Sequence, residues 1–405
     1  MNRVEPPLSF TGNFTQQEAI PQDAIKAAIA VLQSGRLHRY NVATPDELSE
    51  TAELEIEYAS YQQQRFCLAC ASGGYAIQLA LRAWGLETGD PVLSNGFTLS
   101  PVPGAIQAVG AKPVLVETTR DLVIDLEHLE IMIQQSGSRL LLLSHMRGHL
   151  VDMEALCFLL EKYGVALIED CAHTMGATFN GRKSGSHGVM ACFSTQTYKH
   201  VNSGEGGLLT SDNDELMAKA IVLSGSYMLF ERHVAAPTVD VFDQIKLTTP
   251  NCSGRMDNLR AAILRPQLRA LDDNGRRWNE RYNAFSGQLL HNTNAILLPK
   301  RHPDAYEVPS SIQFQIPLFS DEQNVAFLET CAHRGVDIKW FGAEEPKAYT
   351  SRYDSWQYIE ATSLPNTDDL LKRLYDCRLP LTFSVEDCAT IGSIIADVSN
   401  NLLRS

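Results

Sequence analysis

The sequence predicts an α/β fold in which helices flank a mostly parallel central sheet, followed by a smaller α+β C-terminal domain. Short apolar runs, typical of buried strands, alternate with helical patterns from residue 66 to residue 193. A length of 405 residues exceeds what one small core needs and fits one large and one smaller domain. Strand and helix patterns after residue 310 follow a long helical segment, which indicates that the smaller domain is C-terminal.

The N-terminal residues 1–60 predict an arm that carries two helices. Apolar residues recur at helical spacing over 22–34, and 47–61 is predicted as a second helix with carboxylates on its outer face. Between them, His38, Arg39 and Tyr40 lie in a loop, which we interpret as a solvated basic loop or as a segment that contacts substrate.

The large domain is predicted at residues 61–265 and contains the alternating strands and helices. A strand, a Ser-Gly-Gly turn and a helix occupy 66–85, and residues 224–249 are predicted to be irregular and to pack on a partner. Further strands are predicted at 91–94, 113–116, 139–144, 165–168 and 189–193, and further helices at 126–135 and 214–223.

The C-terminal domain is predicted at residues 266–405. A long helical region, 259–289, leads into it, and Pro266 is expected to kink that helix or to mark its restart. Strands are predicted at 311–317 and 336–341, and helices at 321–334 and from 385 onward.

Charge and composition exclude several classes of function. The formal net charge is −14 and no basic cluster offsets it, which argues against a nucleic-acid surface. An apolar share of 44% and a charged share of 20% are typical of soluble globular proteins. No apolar run is as long as a membrane span, and the N-terminus lacks the apolar stretch of a signal peptide. We therefore predict no membrane partner and a cytoplasmic location.

The cysteines predict a reducing compartment and no metal site. Nine cysteines form an odd set without the spacing of a disulfide framework. Cys67 and Cys70 form a CxxC pair, but no second pair completes a zinc site. Buried core thiols are the interpretation that fits an apolar run leading into a strand.

Three polar groups of different chemistry meet within residues 166–210. Asp170 follows an apolar strand, and Ser194 follows the next, at the carboxyl ends where open α/β sheets place their ligands. Lys199 lies in the loop after Ser194, ahead of a glycine-rich turn. A lysine amine forms a Schiff base with pyridoxal phosphate (PLP), and an aspartate keeps its pyridine nitrogen protonated. Taken singly, a solvated lysine and a helix-capping aspartate remain the alternatives.

The same segment resembles the core of the DegT-type sugar-nucleotide aminotransferases. The family's pattern runs from an EDxAxxxGA element through a glycine-serine turn to FSxxxxK and GEGG, and both order and spacing hold here. The matching residues are Glu169-Asp170-Cys171-Ala172-His173, Gly176-Ala177, Gly185-Ser186, Phe193-Ser194 with Lys199, and Gly204-Glu205-Gly206-Gly207. The resemblance covers nearly the whole chain and implies PLP-dependent transferase fold type I.

The resemblance implies roles for four of these residues. Lys199 would carry the cofactor, Asp170 would face the pyridine nitrogen and Ser194 would donate to the phosphate. His173 would lie near the phenolic oxygen of the cofactor; a buried, satisfied histidine is the alternative.

Three further positions extend the predicted cofactor site. Gly73 and Gly74 lie where the family places a phosphate cradle, and free amides at a helix N-terminus bind phosphate. Residues 250–257 resemble the family's NxRM element, which reaches the cofactor phosphate of the neighbouring subunit, but Asn251 lies four residues before Arg255 instead of two and Ser253 takes the nearer position. Asn251 is the candidate for this contact. The family's aromatic ring-stacking position holds Leu99 in this chain, so Phe97 is the candidate replacement.

Arg147 departs from the family, which has a tyrosine at this place. A guanidinium at the carboxyl edge of the sheet binds a substrate carboxylate or phosphate with two parallel hydrogen bonds. Pairing with Asp152 or Glu154 on the following helix is the alternative.

Together these observations predict a homodimeric PLP-dependent aminotransferase with its active site at the interface. By resemblance, the donor is glutamate or glutamine, and the acceptor is a keto sugar or a related small keto substrate of a biosynthetic pathway. The alternative is another PLP reaction on the same scaffold, such as aldol cleavage, elimination or oxidation of an amino-acid-like substrate.

Overall fold

A computed structural model describes residues 7–346 and 352–404 and contains one large sheet and two small ones. The large sheet has seven strands in the order β1-β9-β8-β5-β4-β2-β3. In chain order the strands are β1 (Phe66–Cys70), β2 (Pro91–Asn95), β3 (Lys112–Val116), β4 (Leu140–Ser144), β5 (Ala166–Asp170), β6 (Thr178–Phe179), β7 (Arg182–Lys183), β8 (Met190–Ser194), β9 (Gly207–Ser211), β10 (Ala305–Tyr306), β11 (Ser311–Gln315), β12 (Lys339–Trp340) and β13 (Leu374–Arg378).

The large sheet is parallel except for one strand. β3, β2, β4, β5 and β8 pair in parallel, and β9 pairs antiparallel with both β8 and β1. Most residues of β1, β4, β5 and β8 are buried, as expected for a sheet covered on both faces. The predicted α/β class is confirmed, and the strand at 207–211 is one that the sequence analysis missed.

The helices cover both faces of this sheet and pack around the C-terminal one. Their cores are assembled mainly from the aliphatic residues that produced the predicted helical spacing. In chain order they are α1 (Gln22–Ser34), α2 (Glu50–Gln62), α3 (Gly73–Trp84), α4 (Pro101–Ala108), α5 (Leu126–Ser136), α6 (Met153–Tyr163), α7 (Asp214–Ile221), α8 (Val239–Ile245), α9 (Asn258–Arg269), α10 (Leu271–Asn292), α11 (Asp321–His333), α12 (Pro365–Leu371) and α13 (Val385–Arg404).

Two helical predictions need correction. Residues 224–249 are not irregular throughout, because α8 lies inside them and packs Phe242 and Ile245 into the core. The long helix does not restart at Pro266, which lies inside α9; the break falls at Ala270, four residues later. Proline removes the bond to the carbonyl one turn back, but α9 tolerates it here.

The C-terminal sheet has the order β11-β13-β12, with both pairings antiparallel. It packs on α10, α11 and α13 through a core that includes Phe314, Phe327 and Tyr375. Its central strand, β13, was not predicted, because Asp376 interrupts an otherwise apolar run. The two parts of the chain meet above the carboxyl ends of β4, β5 and β8, which positions the cavity described below.

No helix in residues 7–346 or 352–404 has the length and apolar character needed to cross a membrane.

Candidate active site

A cavity of about 520 Å³ lies at the carboxyl ends of the parallel strands and extends to the C-terminal sheet. Most of the residues predicted to form the site line it. They are Gly73, Gly74, Arg147, Asp170, His173, Ser194 and Lys199. The topology accounts for this convergence, since β5 and β8 are neighbours and both end at this edge.

Lys199 points its amine into the buried end of the cavity. Burial lowers the pKa of Lys199 to about 8, because desolvation disfavours the charged amine; nearby Asp170 opposes this effect, and the guanidinium groups of Arg147 and Arg378 add to it. At pH 7 about one Lys199 amine in ten is therefore neutral, a far larger share than for an exposed lysine, whose pKa is 10.5. A neutral amine is the form that attacks an aldehyde and that accepts a proton.

His173 holds the amine of Lys199 in place. Its Nε2 lies 2.8 Å from Lys199 Nζ, and its Nδ1 accepts a hydrogen bond of 3.3 Å from the backbone N–H of Arg147. Burial, together with the positive charge of Lys199, keeps the pKa of His173 well below its usual range, so the ring is neutral. Because Nδ1 accepts, the proton of the neutral ring lies on Nε2 and faces the amine.

Asp170 lies at the end of β5 with both carboxylate oxygens engaged. Oδ2 accepts from the Ser144 hydroxyl at 3.0 Å, and Oδ1 accepts from the backbone N–H of Ala172 at 3.1 Å. Burial raises the pKa of Asp170, while the Ala172 amide, Lys199 and Ser144 act in the opposite direction. A cationic ring nitrogen beside this carboxylate would further favour its charged form.

The N-terminus of α3 and the end of β8 form a cradle of small residues. The Ser72 side chain caps α3 by accepting from the backbone N–H of Tyr75, which leaves the amides of Gly73 and Gly74 at the cavity. A Cβ on Gly73 would lie 2.8 Å from the Cβ of Ser194, so this approach requires glycine. Amides and one hydroxyl converging at a helix N-terminus are suited to a phosphate group.

Glu169, the carboxylate directly before Asp170 in the sequence, has a structural role. Its oxygens accept from the backbone N–H groups of Gly185, His187 and Gly188, and Oε2 lies 3.0 Å from His145 Nε2. This fully buried carboxylate thus fixes the 185–188 turn behind the cavity. Hydrogen bonds to the charged form hold its pKa well below the usual range despite burial.

Arg147 pairs with neither of the two partners proposed from the sequence. Its Nη2 lies 3.1 Å from Oδ2 of Asp376 in β13, while Asp152 caps α6 and Glu154 accepts from Asn180. The prediction of a local ion pair is therefore wrong. The long Arg147 side chain instead reaches the C-terminal sheet across the cavity, a contact that sequence separation concealed.

Two other predicted residues lie away from the cavity. Phe97 is 2% exposed and packs edge-to-face on Phe341 at 5.0 Å, so it belongs to the core, whereas Leu99 lines the cavity. The expectation that Phe97 contacts cofactor or substrate is corrected accordingly. Asn251 lies in the loop after α8, outside the lining of this chain's own cavity.

Arg378, which lines the cavity at the end of β13, was not predicted from the sequence. Its guanidinium carbon lies 3.9 Å from the centre of the Tyr198 ring, beside Lys199. Because β13 was not predicted, nothing in the sequence near Arg378 indicated that it lies at the end of a strand. The apolar residues on either side of Asp376 could have identified the strand and, with it, Arg378.

Comparison with known proteins identifies the family. The profile described as the DegT/DnrJ/EryC1/StrS aminotransferase family matches residues 19–396. The chain belongs to this family. Membership confirms the predicted resemblance, the aminotransferase class and the PLP cofactor, and structural neighbours have been solved in PLP and PMP forms.

Two named proteins are similar to this chain in sequence. GDP-perosamine synthase of Caulobacter vibrioides is 33% identical over 222 residues, which are 55% of this chain and 57% of that protein. L-glutamine:2-deoxy-scyllo-inosose aminotransferase of Streptoalloteichus tenebrarius is 32% identical over 254 residues, 62% of this chain and 58% of that protein. The matched stretches thus span less than two thirds of either relative.

A solved family structure extends the similarity to the whole fold. DesV of S. venezuelae, solved with a ketimine intermediate, superposes with a TM-score of 0.75 at 26% identity and covers 93% of this chain and 94% of its own. The fold prediction for a PLP-dependent transferase of this family is confirmed.

The residues of this DegT/DnrJ/EryC1/StrS family member fit PLP. One cavity contains the amine of Lys199, the carboxylate of Asp170 and the cradle at Gly73, which a Cβ would fill. Lys199 can take the aldehyde, Asp170 the ring nitrogen, and Gly73, Gly74 and Ser194 the phosphate. The aldehyde, the ring nitrogen and the phosphate of the cofactor therefore each have a partner of suitable chemistry.

Proposed function

We propose that this protein transfers an amino group from glutamate or glutamine to a keto sugar or a related small keto substrate in a biosynthetic pathway. The observation that carries the proposal is the buried amine of Lys199, 2.8 Å from a neutral His173 and in the same cavity as Asp170. When bound, PLP supplies an electron sink that acidifies the carbon bearing the transferred nitrogen.

Lys199 is proposed to hold the cofactor and then to move the proton. Its lowered pKa, about 8, lets the amine accept a proton at one carbon and return it at another near neutral pH. His173 orients that amine through its Nε2, and Asp170 keeps the ring nitrogen charged. Ser194, Gly73 and Gly74 bind the phosphate and prevent the ring from leaving.

The donor and acceptor classes rest on the relatives. One acts with L-glutamine on 2-deoxy-scyllo-inosose, by its name, and another makes a GDP-linked amino sugar. The same chemistry in this chain needs a cavity that admits a polar keto ring, and about 520 Å³ is sufficient for a monosaccharide-sized group.

Two copies are proposed to share the active site. Tyr227, Met228 and Leu247 expose 67, 60 and 84% of their surface in the segment after α7, and such apolar side chains favour a protein contact. Asn251 follows this segment and would enter the partner's phosphate cradle. Leu247→Asp should convert a dimer to monomers in analytical ultracentrifugation; an unchanged mass would refute this interface. We also propose a cytoplasmic location, which suits nine cysteines that are all free.

The proposed reaction is tested by following 2-oxoglutarate formed from L-glutamate by the PLP-loaded protein. Without an acceptor, about one equivalent should form per site, and a suitable keto sugar should make the reaction catalytic. Lys199→Ala should abolish both, whereas Lys162→Ala, a surface control on α6, should retain them. Release of ammonia or an aldehyde in place of 2-oxoglutarate would show a different PLP reaction.

A further inference from the structure

Three charged residues share one face of the C-terminal sheet. Asp376 and Arg378 are two residues apart in β13, so their side chains leave the same face. Lys339 in β12 is the direct cross-strand partner of Asp376 and therefore lies on this face as well. Lys339 and Arg378 both line the cavity, opposite the strand ends that carry Asp170 and Ser194.

Arg147 adds a third cation to this wall from the other side of the cavity. Its ion pair with Asp376 uses one edge of the guanidinium, and its Cζ lies 5.8 Å from the centre of the Phe341 ring. The Arg147 side chain is 10% exposed, and its Nε has no hydrogen-bond partner among the described residues. Its positive charge is therefore held at the cavity by packing and by a single carboxylate.

Neither Arg378 nor Lys339 forms an ion pair within 4.0 Å in the described parts of the chain, although Asp376 and Asp337 lie close enough to Lys339 to act on its charge. Arg378 is oriented by stacking on Tyr198, which fixes the plane of the guanidinium and leaves its five N–H donors available. Burial lowers the pKa of Lys339, with Asp376 opposing and the two arginines adding to the effect. These influences indicate that the four groups form one cluster.

The balance of charge in this cluster is positive. Three cations, Arg147, Lys339 and Arg378, face one carboxylate, Asp376, which leaves a formal charge of +2. Of the other carboxylates that line the cavity, Glu18 is paired with Arg277, Asp170 lies at the opposite wall, and Glu205 lies in an exposed loop. An uncompensated double charge in a partly buried cavity is costly unless a ligand neutralises it.

We propose that Arg147, Lys339 and Arg378 form a subsite for a dianionic substrate group, either the paired carboxylates of a dicarboxylic amino donor or the diphosphate of a nucleotide-linked acceptor. This rests on the proposed function, because it specifies what the same cavity receives. Arg378 is the specificity-determining residue: it adjoins Tyr198 and Lys199, so a group bound to it is oriented toward the reacting amine. Arginine binds carboxylates and phosphates through paired N–H donors, and Lys339 adds a second, movable charge.

The test measures binding of unreactive probes to the PLP-loaded protein by isothermal titration calorimetry. The probes are glutarate, which is a dicarboxylate without an amine, inorganic pyrophosphate, and butyrate as the monocarboxylate control. PLP loading occupies the phosphate cradle, so pyrophosphate cannot bind there. We expect one dianion to bind at least tenfold more tightly than butyrate, with affinity that falls as salt increases.

Arg378→Gln and Lys339→Met should each weaken that binding about tenfold or more, whereas Lys162→Gln, which removes an exposed charge on α6, should leave it unchanged. Retention of the PLP absorbance band establishes that each variant is folded. Preferential binding of glutarate assigns the subsite to the donor, and preferential binding of pyrophosphate assigns it to the acceptor. Equal affinity for all three probes, or wild-type affinity in both variants, would overturn the proposal.

Failure of this proposal is distinguishable from failure of the proposed function. The probes carry no amino group and do not react, so their binding is independent of transamination. Dianion binding that depends on Arg378 without 2-oxoglutarate formation would refute the reaction and retain the subsite. Transamination without dianion binding that depends on Arg378 would refute the subsite and retain the reaction.

Discussion

At the scale of single residues, the chemistry of this site depends on burial. An exposed lysine would be charged at neutral pH, but the enclosed position of Lys199 lowers its pKa to about 8. His173 is held neutral by the same enclosure and presents Nε2 to the amine at 2.8 Å. The site can therefore supply the neutral amine at a lower pH than an exposed lysine could, and no additional base is needed.

This predicts the pH dependence of cofactor capture by the apoprotein. Only the neutral amine attacks the aldehyde, so the loading rate should rise with pH and level off above about pH 8. For an ordinary lysine, with a pKa of 10.5, the rise would continue beyond pH 10. Stopped-flow absorbance measures the rate, and Nα-acetyl-lysine provides the unperturbed control. A midpoint near that of the control would contradict the buried, neutral amine.

The convergence of Asp170, Ser194 and Lys199 in one cavity was predictable because these residues are close in sequence. Asp170, Ser194 and Lys199 follow two adjacent strands, and the spacing within residues 166–210 identified them. The Arg147 contact was not predictable, because its partner Asp376 lies more than 200 residues away on a strand that was missed. The prediction that Phe97 contacts cofactor or substrate was wrong for a related reason. The sequence does not show whether an aromatic residue near a strand end faces the cavity or the core.

At the scale of secondary-structure elements, the start of α3 depends on its close approach to β8. Gly73→Ala places a Cβ 2.8 Å from the Cβ of Ser194 and must displace one of the two elements. Overpacking of this kind costs about 1–3 kcal/mol, and part of it should appear as weaker PLP binding, since both elements carry the proposed phosphate ligands.

Gly74→Ala is the matched control, because its Cβ would meet no atom closer than 3.9 Å. Fluorescence titration of the apoprotein with PLP gives both affinities. The prediction is a Gly73→Ala dissociation constant at least fivefold above that of Gly74→Ala. Equal constants for the two variants would show that the approach of α3 to β8 is not what forms the cradle.

The loop between α1 and α2 is fixed by a buried ion pair. Arg39 makes two hydrogen bonds of 2.8 Å to Glu55 in α2, and a third contact of 3.1 Å to His233. Arg39 is 1% exposed and Tyr40 is buried beside it, so the interpretation as a solvated basic loop is wrong for both. The sequence could not reveal this, because the residue that completes the cluster lies almost 200 positions away.

Removal of one partner from this pair should strongly destabilise the fold. Arg39→Met leaves the fully buried Glu55 carboxylate without its counterion and should lower the free energy of unfolding by about 3–5 kcal/mol. The double variant Arg39→Met/Glu55→Gln removes the charge and should recover part of that loss. Urea denaturation of the apoproteins measures both, and a double variant less stable than the single one would contradict the argument.

At the scale of the whole molecule, the active site is where two sheets face each other. The large sheet supplies the groups suited to PLP, and the C-terminal sheet supplies Lys339 and Arg378 to the opposite wall, with the buried Asp376 behind them. The alternation of strands and helices was sufficient to predict the class of the first sheet. The second sheet consists of short strands whose order in the sheet differs from their order in the sequence. For this reason, the residues that line the cavity from the C-terminal sheet could not be predicted.

The most direct test of the central claim is the absorbance spectrum of the purified, PLP-loaded protein before and after addition of L-glutamate. For an aminotransferase, the absorbance band of PLP bound to a lysine should be lost, and the band of pyridoxamine phosphate should appear with one equivalent of 2-oxoglutarate. If L-glutamine is the donor, the same change in absorbance is expected, with one equivalent of 2-oxoglutaramate as the keto product. A band that persists unchanged with both donors would contradict the assignment as a glutamate- or glutamine-dependent aminotransferase.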